Sequence, residues 1–79
     1  MSQFDLSFLI SGITEALEVE AHQVNIDTQS SDLEEWDSLG HISIMAFLDN
    51  SFNEVTERAP ALASATSVKE IVDILSSLE

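Results

Sequence analysis

Apolar positions along the chain follow a helical period in three stretches. Leu6, Leu9, Ile10, Ile13 and Leu17 recur at spacings of three and four, which predicts an amphipathic helix over residues 4–19. Ser2 or Asp5 is placed to cap its start. Glu15, Glu18 and Glu20 put negative charge near its end, where the helix dipole disfavours it. A frayed end, or charge kept for a partner, is the expectation there. Periodicity then lapses over residues 20–36, where Asn25, Asp27, Ser30, Ser31 and Asp32 are turn formers. A loop this long is uncommon in a small domain and is often functional. Val24, Ile26, Leu33 and Trp36 are its expected anchors, with Trp36 as a plug pinning the loop. A second helix is expected over 38–53, N-capped by Asp37. A short helical turn is expected over 60–64, with Pro60 at the first position, where its missing N–H does no harm. A last helix is expected over 68–78, its apolar face made by Val68, Ile71, Val72, Leu75 and Leu78. Ser67 and Glu70 have the capping-box spacing at its start. With no internal repeat, the pattern predicts one all-α domain over 1–79, a small bundle of three main helices and a short one.

The second helix carries apolar residues on two sides. With Ser38 at 0° and about 100° per residue, Ile44, Leu48, Phe52 and Met45 fall between about 240° and 340°. That arc is wide enough to be the core face. Leu39, Ile42 and Ala46 fall between about 40° and 100°, on the other side of Ser38. A helix in a small bundle needs one buried stripe. The second is either wrapped by the loop and neighbouring helices, or is a modest apolar surface for transient partners. Ser38 stands at its edge, at a helix start, where unpaired N–H groups and the dipole favour a phosphate.

Composition changes the picture through charge. Fifteen acids face two bases, Arg58 and Lys69, for a formal charge of −13 over 79 residues. Phosphate neutralisation needs the basic residues that are missing, so direct nucleic-acid binding is excluded, and an anionic membrane surface is an equally poor partner. A partner with a basic surface is expected. The chain is 44% apolar, too much for a disordered acidic tail. No apolar stretch reaches the ~18 residues of a membrane span, and no secretory signal pattern opens the chain; a cytoplasmic monomer is the expectation. The absence of Cys removes disulfides and thiolate metal sites.

The run Glu35-Trp36-Asp37-Ser38-Leu39-Gly40-His41-Ile42 resembles the phosphopantetheine attachment site of acyl carrier proteins, whose core is Asp-Ser-Leu followed by Asp or Gly. The likeness extends to the length and acidity of the domain, the first helix, the long loop, the Leu17-Glu18-Val19 exit, Val24, Leu48, Phe52 and Thr66-Ser67-Val68. It implies a four-helix bundle of acyl-carrier type. It also implies that Ser38 accepts 4′-phosphopantetheine from coenzyme A through a separate transferase, and that the prosthetic thiol carries acyl groups as thioesters. The chemistry then belongs to the cofactor and to partner enzymes, and the protein is not itself an enzyme. Asp37, Leu39 and Gly40 would frame the attachment site. Asp32, Glu34, Glu35, Asp37, Leu39, Ile42, Ala46 and Asp49 would meet the transferase and the acyl-activating and acyl-transfer enzymes, through basic patches on those partners. Ile44, Met45 and Leu48 match core positions, some of which line an acyl pocket in the family. Ser43, Asn50 and Ser51 stand where acids are common, and the acids gather instead upstream of Ser38. That shift looks like a specialised free-standing carrier of a dedicated acyl-transfer or surface-polysaccharide pathway.

Rival readings are weaker. An aminoacyl or peptidyl carrier shares the prosthetic group, and the high acidity leans away from it. An acidic helical adaptor without a prosthetic group would array its acids on one face, and here they scatter. Asp37, Ser38 and His41 do not suit a catalytic triad, because adjacent Asp and Ser at one helix start cannot both flank an imidazole. His41 is expected as an exposed first-turn residue of open role, and His22 as a loop or helix-end residue. The acids at 32, 34, 35 and 37 lack the glycine and closing Glu of a calcium loop, so no metal site is expected.

Overall fold

The computed structural model describes residues 5–78; Ser2 and the expected helix start at residue 4 lie outside them. Among the described residues there are four α-helices and no strand: α1 (Leu6–Leu17), α2 (Ser38–Ser51), α3 (Val55–Arg58) and α4 (Val68–Ser77). Three short 3-10 turns join them, at Ala21–Gln23, Ser30–Asp32 and Pro60–Ser64. The chain is a small all-α bundle. The pairing of α1 with α2 is its most extensive helix contact.

The periodic residues fill the core. Leu9, Ile13, Ile44, Leu48, Leu62, Val68 and Ile71 are all inaccessible to solvent, with Leu17, Val24 and Leu75 nearly so. Leu6 departs from the expectation: at 41% exposed it lies at the edge of the bundle. It shares the first turn of α1, where the chain has only just left its cap. Asp5 makes that cap, its carboxylate accepting from Ser7 N at 2.9 Å. Val72, Met45 and Phe52 are half-buried against the core rather than within it.

The acidic end of α1 is closed by backbone hydrogen bonds. Glu18 takes a left-handed conformation (φ 58°, ψ 44°). That turn lets Glu18 N donate to Glu15 O at 3.1 Å and Val19 N donate to Thr14 O at 3.1 Å. These bonds satisfy carbonyls that a helix end otherwise leaves orphaned. A side chain in this region costs about 1–2 kcal/mol, and a carboxylate at a helix C-terminus adds an unfavourable dipole interaction. Glycine removes both but gains freedom in the unfolded chain. A Glu18→Gly variant is therefore expected to be more stable by about 1 kcal/mol. Urea denaturation checks this: the midpoint should rise at unchanged slope, and a lower midpoint would contradict it.

The long loop is organised. Two 3-10 turns interrupt it, and an Asx turn forms where Asp27 N donates to Asn25 Oδ1 at 2.8 Å. Thr28 is buried, with its hydroxyl oxygen accepting from Asn25 N at 2.9 Å. The loop is laced to the start of α4: Ser30 N donates to Thr66 O at 2.7 Å and Val68 N donates to Thr28 O at 3.0 Å. Of the four expected anchors, Val24 and Trp36 are buried, while Ile26 and Leu33 are half-buried. The anchors alone would leave the loop's backbone groups unpaired. The lacing to α4 supplies partners that lie far away in sequence.

The segment after α2 was the least legible. α2 ends at Ser51, and Asn53 and Glu54 both turn left-handed (φ 58° and 56°) before α3 begins. Asp49 stabilises this reversal. Its two carboxylate oxygens accept from Thr56 N and Thr56 Oγ1, each at 2.9 Å, so a side chain on α2 acts as the N-cap of α3. Arg58 donates from Nη2 to Phe52 O at 2.6 Å across the same turn. Val55, Ala59 and Ala65 are buried with Leu62. The start of α4 is a variant of the expected capping box. Ser67 Oγ accepts from Glu70 N at 3.1 Å, but Glu70 reaches back to Thr66, whose hydroxyl donates to Glu70 Oε1 at 2.8 Å.

Candidate functional site

The site is built where the loop meets α2. Residues 33–36 close a turn, with Trp36 N donating to Leu33 O at 3.1 Å. Trp36 turns inward and is 5% exposed. Asp37 follows in an extended conformation and caps α2, its Oδ1 accepting from Gly40 N at 2.9 Å and its carbonyl from His41 N at 2.8 Å. Ser38 is the first residue of α2 and is exposed. Capping uses the Gly40 and His41 N–H groups. Those of Ser38 and Leu39 have no protein acceptor among the described residues. The Ser38 hydroxyl therefore sits at the positive end of a helix with donors to spare, a favourable place for a phosphate group.

Gly40 is what lets the loop come this close. A Cβ there would overlap the Glu35 carbonyl oxygen and approach Leu17 Cδ2 to 2.8 Å. The Asp that the resemblance would also allow at this position has no room. The backbone of Glu35 lies directly on the first turn of α2, and Leu17 of α1 backs it.

His41 is not the exposed residue expected from its place in the first turn. It is half-buried and bonded on both sides. Trp36 Nε1 donates to His41 Nδ1 at 3.0 Å, and His41 Nε2 lies 3.0 Å from Leu62 O. An indole N–H can only donate, so Nδ1 is the acceptor, Nε2 carries the proton, and it donates to the Leu62 carbonyl. The two rings are nearly parallel, 12° apart with centroids 6.2 Å apart, and are joined by that hydrogen bond. A chain of contacts thus runs from the loop through α2 to the Pro60–Ser64 turn. Both imidazole nitrogens are occupied, and neither is left to take a proton from Ser38.

The second apolar stripe of α2 is open to solvent. Leu39 is 74% exposed, Ile42 63%, and Ala46 is also exposed. Ser43 and Asn50, exposed on the same helix, carry no charge. Acids sit at its upstream end, where Glu34, Glu35 and Asp37 are exposed. Asp32 is exposed as well, with Oδ2 accepting from Gln29 N at 2.9 Å. Asp49, grouped with these acids from the sequence, is half-buried and engaged with Thr56. Two open grooves flank the first turn of α2. One, about 350 Å³, runs towards the end of α1 past Leu39, Gly40 and Ser43. The other, about 420 Å³, includes Ser38 itself and runs between α2 and residues 63–66, past Trp36, His41 and Ile42.

Among the described residues, no group of three or more His, Asp or Glu side chains is placed to hold a metal ion. No helix among them is long and apolar enough to cross a membrane. No family model, no curated protein and no solved structure matches the chain.

Proposed function

We propose that this chain carries acyl groups as thioesters on 4′-phosphopantetheine attached to Ser38, and presents them to partner enzymes. The observation that carries the reading is the placement of Ser38. It is the exposed first residue of α2, beside an exposed apolar stripe, after a loop locked by Trp36 and Gly40. Attachment needs a hydroxyl that a second protein can reach, and transient delivery needs a small apolar surface with polar surroundings. A phosphodiester on Ser38 Oγ would meet the free N–H groups of the first turn.

In the proposed loading step a transferase directs Ser38 Oγ onto the β-phosphorus of coenzyme A. The Oγ–P bond forms, the pyrophosphate P–O bond breaks, 3′,5′-ADP leaves, and the hydroxyl proton goes to a base of the transferase. Once attached, the arm would supply a thiol that takes the acyl group from an activated donor, the new C–S bond replacing the bond to the donor's leaving group, which departs with the thiol proton. Asp37 holds the helix start. Asp32, Glu34, Glu35 and Asp37 form the charged approach for basic partners, with Leu39, Ile42 and Ala46 as the apolar contact.

The test is to incubate the protein with coenzyme A and a broad-specificity phosphopantetheinyl transferase and to weigh the product. A gain of one phosphopantetheine is expected, with no gain in Ser38→Ala. Because the acids steer the encounter, the loading rate at sub-saturating protein should fall between low and physiological salt. No mass gain, or a gain that persists in Ser38→Ala, would remove the proposal.

A further inference from the structure

The two grooves that flank the first turn of α2 differ in charge. The one between α2 and residues 63–66 is walled by Ser30, Ala63, Ser64 and Thr66, and Asp37 is the one carboxylate among the described residues that line it. The one towards the end of α1 is lined by Glu18, Glu35 and Asp37, with Leu17 and Leu39 as apolar surface. Through Ala16 and Ser43 it continues along the α1–α2 seam into a hollow lined by Glu15, Phe8 and Phe47. Leu39 and Phe8 are well exposed, so apolar surface is open at both ends of the seam. Asp32 and Glu34 line neither groove, and the two bases, Arg58 and Lys69, line none of these hollows.

Glu15 and Glu18 are exposed, and among the described residues neither carboxylate has a hydrogen-bond or ion-pair partner. They stand three residues apart at the negative end of α1, where the helix dipole adds to their charge. Both the dipole and the left-handed turn at Glu18 make these carboxylates unfavourable to the fold. An apolar seam edged by unpaired acids is complementary to a basic surface that carries an apolar residue among its cations. We infer that the basic partner that loads Ser38 docks from the α1 side. It sets Lys or Arg side chains against Glu15, Glu18 and Glu35, and an apolar residue against Leu39. The uncharged wall at residues 63–66 takes no part in that contact. The inference rests on the attachment proposed for Ser38, and adds the face of approach and two contact residues, Glu15 and Glu18, on a different helix from the serine.

Loading kinetics with the broad-specificity transferase, at varied concentrations of this protein, test the inference. The double variant Glu15→Gln/Glu18→Gln should raise KM about three- to tenfold, the effect of losing two exposed ion pairs, with kcat near wild type and a flatter salt dependence. Glu54→Gln/Glu57→Gln removes the same charge at the turn into α3 and should change KM less than about twofold. Glu18→Gly separates docking from folding, because it is expected to be the more stable protein and should still raise KM. Equal effects of the two double variants, or a wild-type KM in Glu18→Gly, would overturn the inference while leaving Ser38 attachment intact. A second measurement reads docking without loading. Isotope-labelled Ser38→Ala protein is mixed with the transferase in the absence of coenzyme A. Amide shifts should gather at residues 15–18, Leu39 and Ser43, and shifts centred on residues 63–66 would overturn the inference. Shifts on the α1 side with no mass gain in wild type would support the docking face and overturn the attachment reading. No shifts and no mass gain would overturn both.

Discussion

Trp36→Ala is expected to lose about 3–5 kcal/mol of stability, the range for truncating a buried large aromatic residue. A domain of this size holds only ~3–5 kcal/mol in total, so the variant should be largely unfolded. Trp36 is 5% exposed and sits between the long loop and α2. Removing it deletes the apolar contact that holds the 33–37 turn down, and it also leaves His41 Nδ1 without its donor. Trp36→Phe keeps one buried aromatic ring but loses the N–H and the rest of the indole. It should cost about 1–3 kcal/mol, less than Trp36→Ala, for the smaller cavity and the half-buried acceptor left without its donor. Far-UV circular dichroism in urea is the measurement, because Trp36 is the chain's one tryptophan and its fluorescence disappears with it. A loss below ~1 kcal/mol for Trp36→Ala would show that the loop is held by its lacing to α4 rather than by this side chain.

The second large effect is expected at Gly40. Alanine is the better helix former by about 1 kcal/mol, so a free helix would gain from Gly40→Ala. Here the new Cβ would overlap the carbonyl oxygen of Glu35. That atom is backbone, one residue before the buried Trp36, and it cannot swing aside without lifting the loop. Overpacking of this kind costs about 1–3 kcal/mol or more, and a net loss of about 2 kcal/mol is expected. Gly12→Ala is the comparison. A Cβ at Gly12 meets the ring of Phe47, a half-buried side chain that can rotate outward, so its loss should be clearly smaller. Denaturation of the two variants side by side decides the point. Equal losses would mean that the Glu35 carbonyl yields as easily as a side chain. The Gly40 effect also reaches the proposed site, because Ser38 is held at the surface by the same close approach.

The helices were legible because their apolar periods are strong and local. Leu9, Ile13 and Leu17, or Val68, Ile71 and Leu75, have only one way to hide on a helix. Asp37 and Ser67 act as caps for the same reason, since a cap is a contact between residues two or three positions apart. α3 was not legible. Four residues set no period, and the groups that stabilise it, Asp49 and Arg58, bridge seven and six positions across a left-handed turn.

At the site the division is similar. Ser38 at a helix start, behind Asp37 and beside a split apolar stripe, can be read from the order of residues. Whether Leu39, Ile42 and Ala46 were core or surface could not, because angular position assigns a face and says nothing of what lies against it. Their exposure was decided by where α1, α3 and the Pro60–Ser64 turn came to rest against α2. The same holds for His41. Its place in the first turn suggested solvent, but folding brings Leu62, twenty-one residues on, to within 3.0 Å of its ring. The sequence by itself determined the three main helices, their N-caps, the acidic balance and the serine at the head of α2, all properties of near neighbours or of composition. Only the tertiary structure decided which apolar stripe stays open, why residue 40 must be glycine, and that Trp36 and His41, hydrogen-bonded to each other, line the groove beside Ser38. Each of these depends on a contact between segments that the chain order keeps apart.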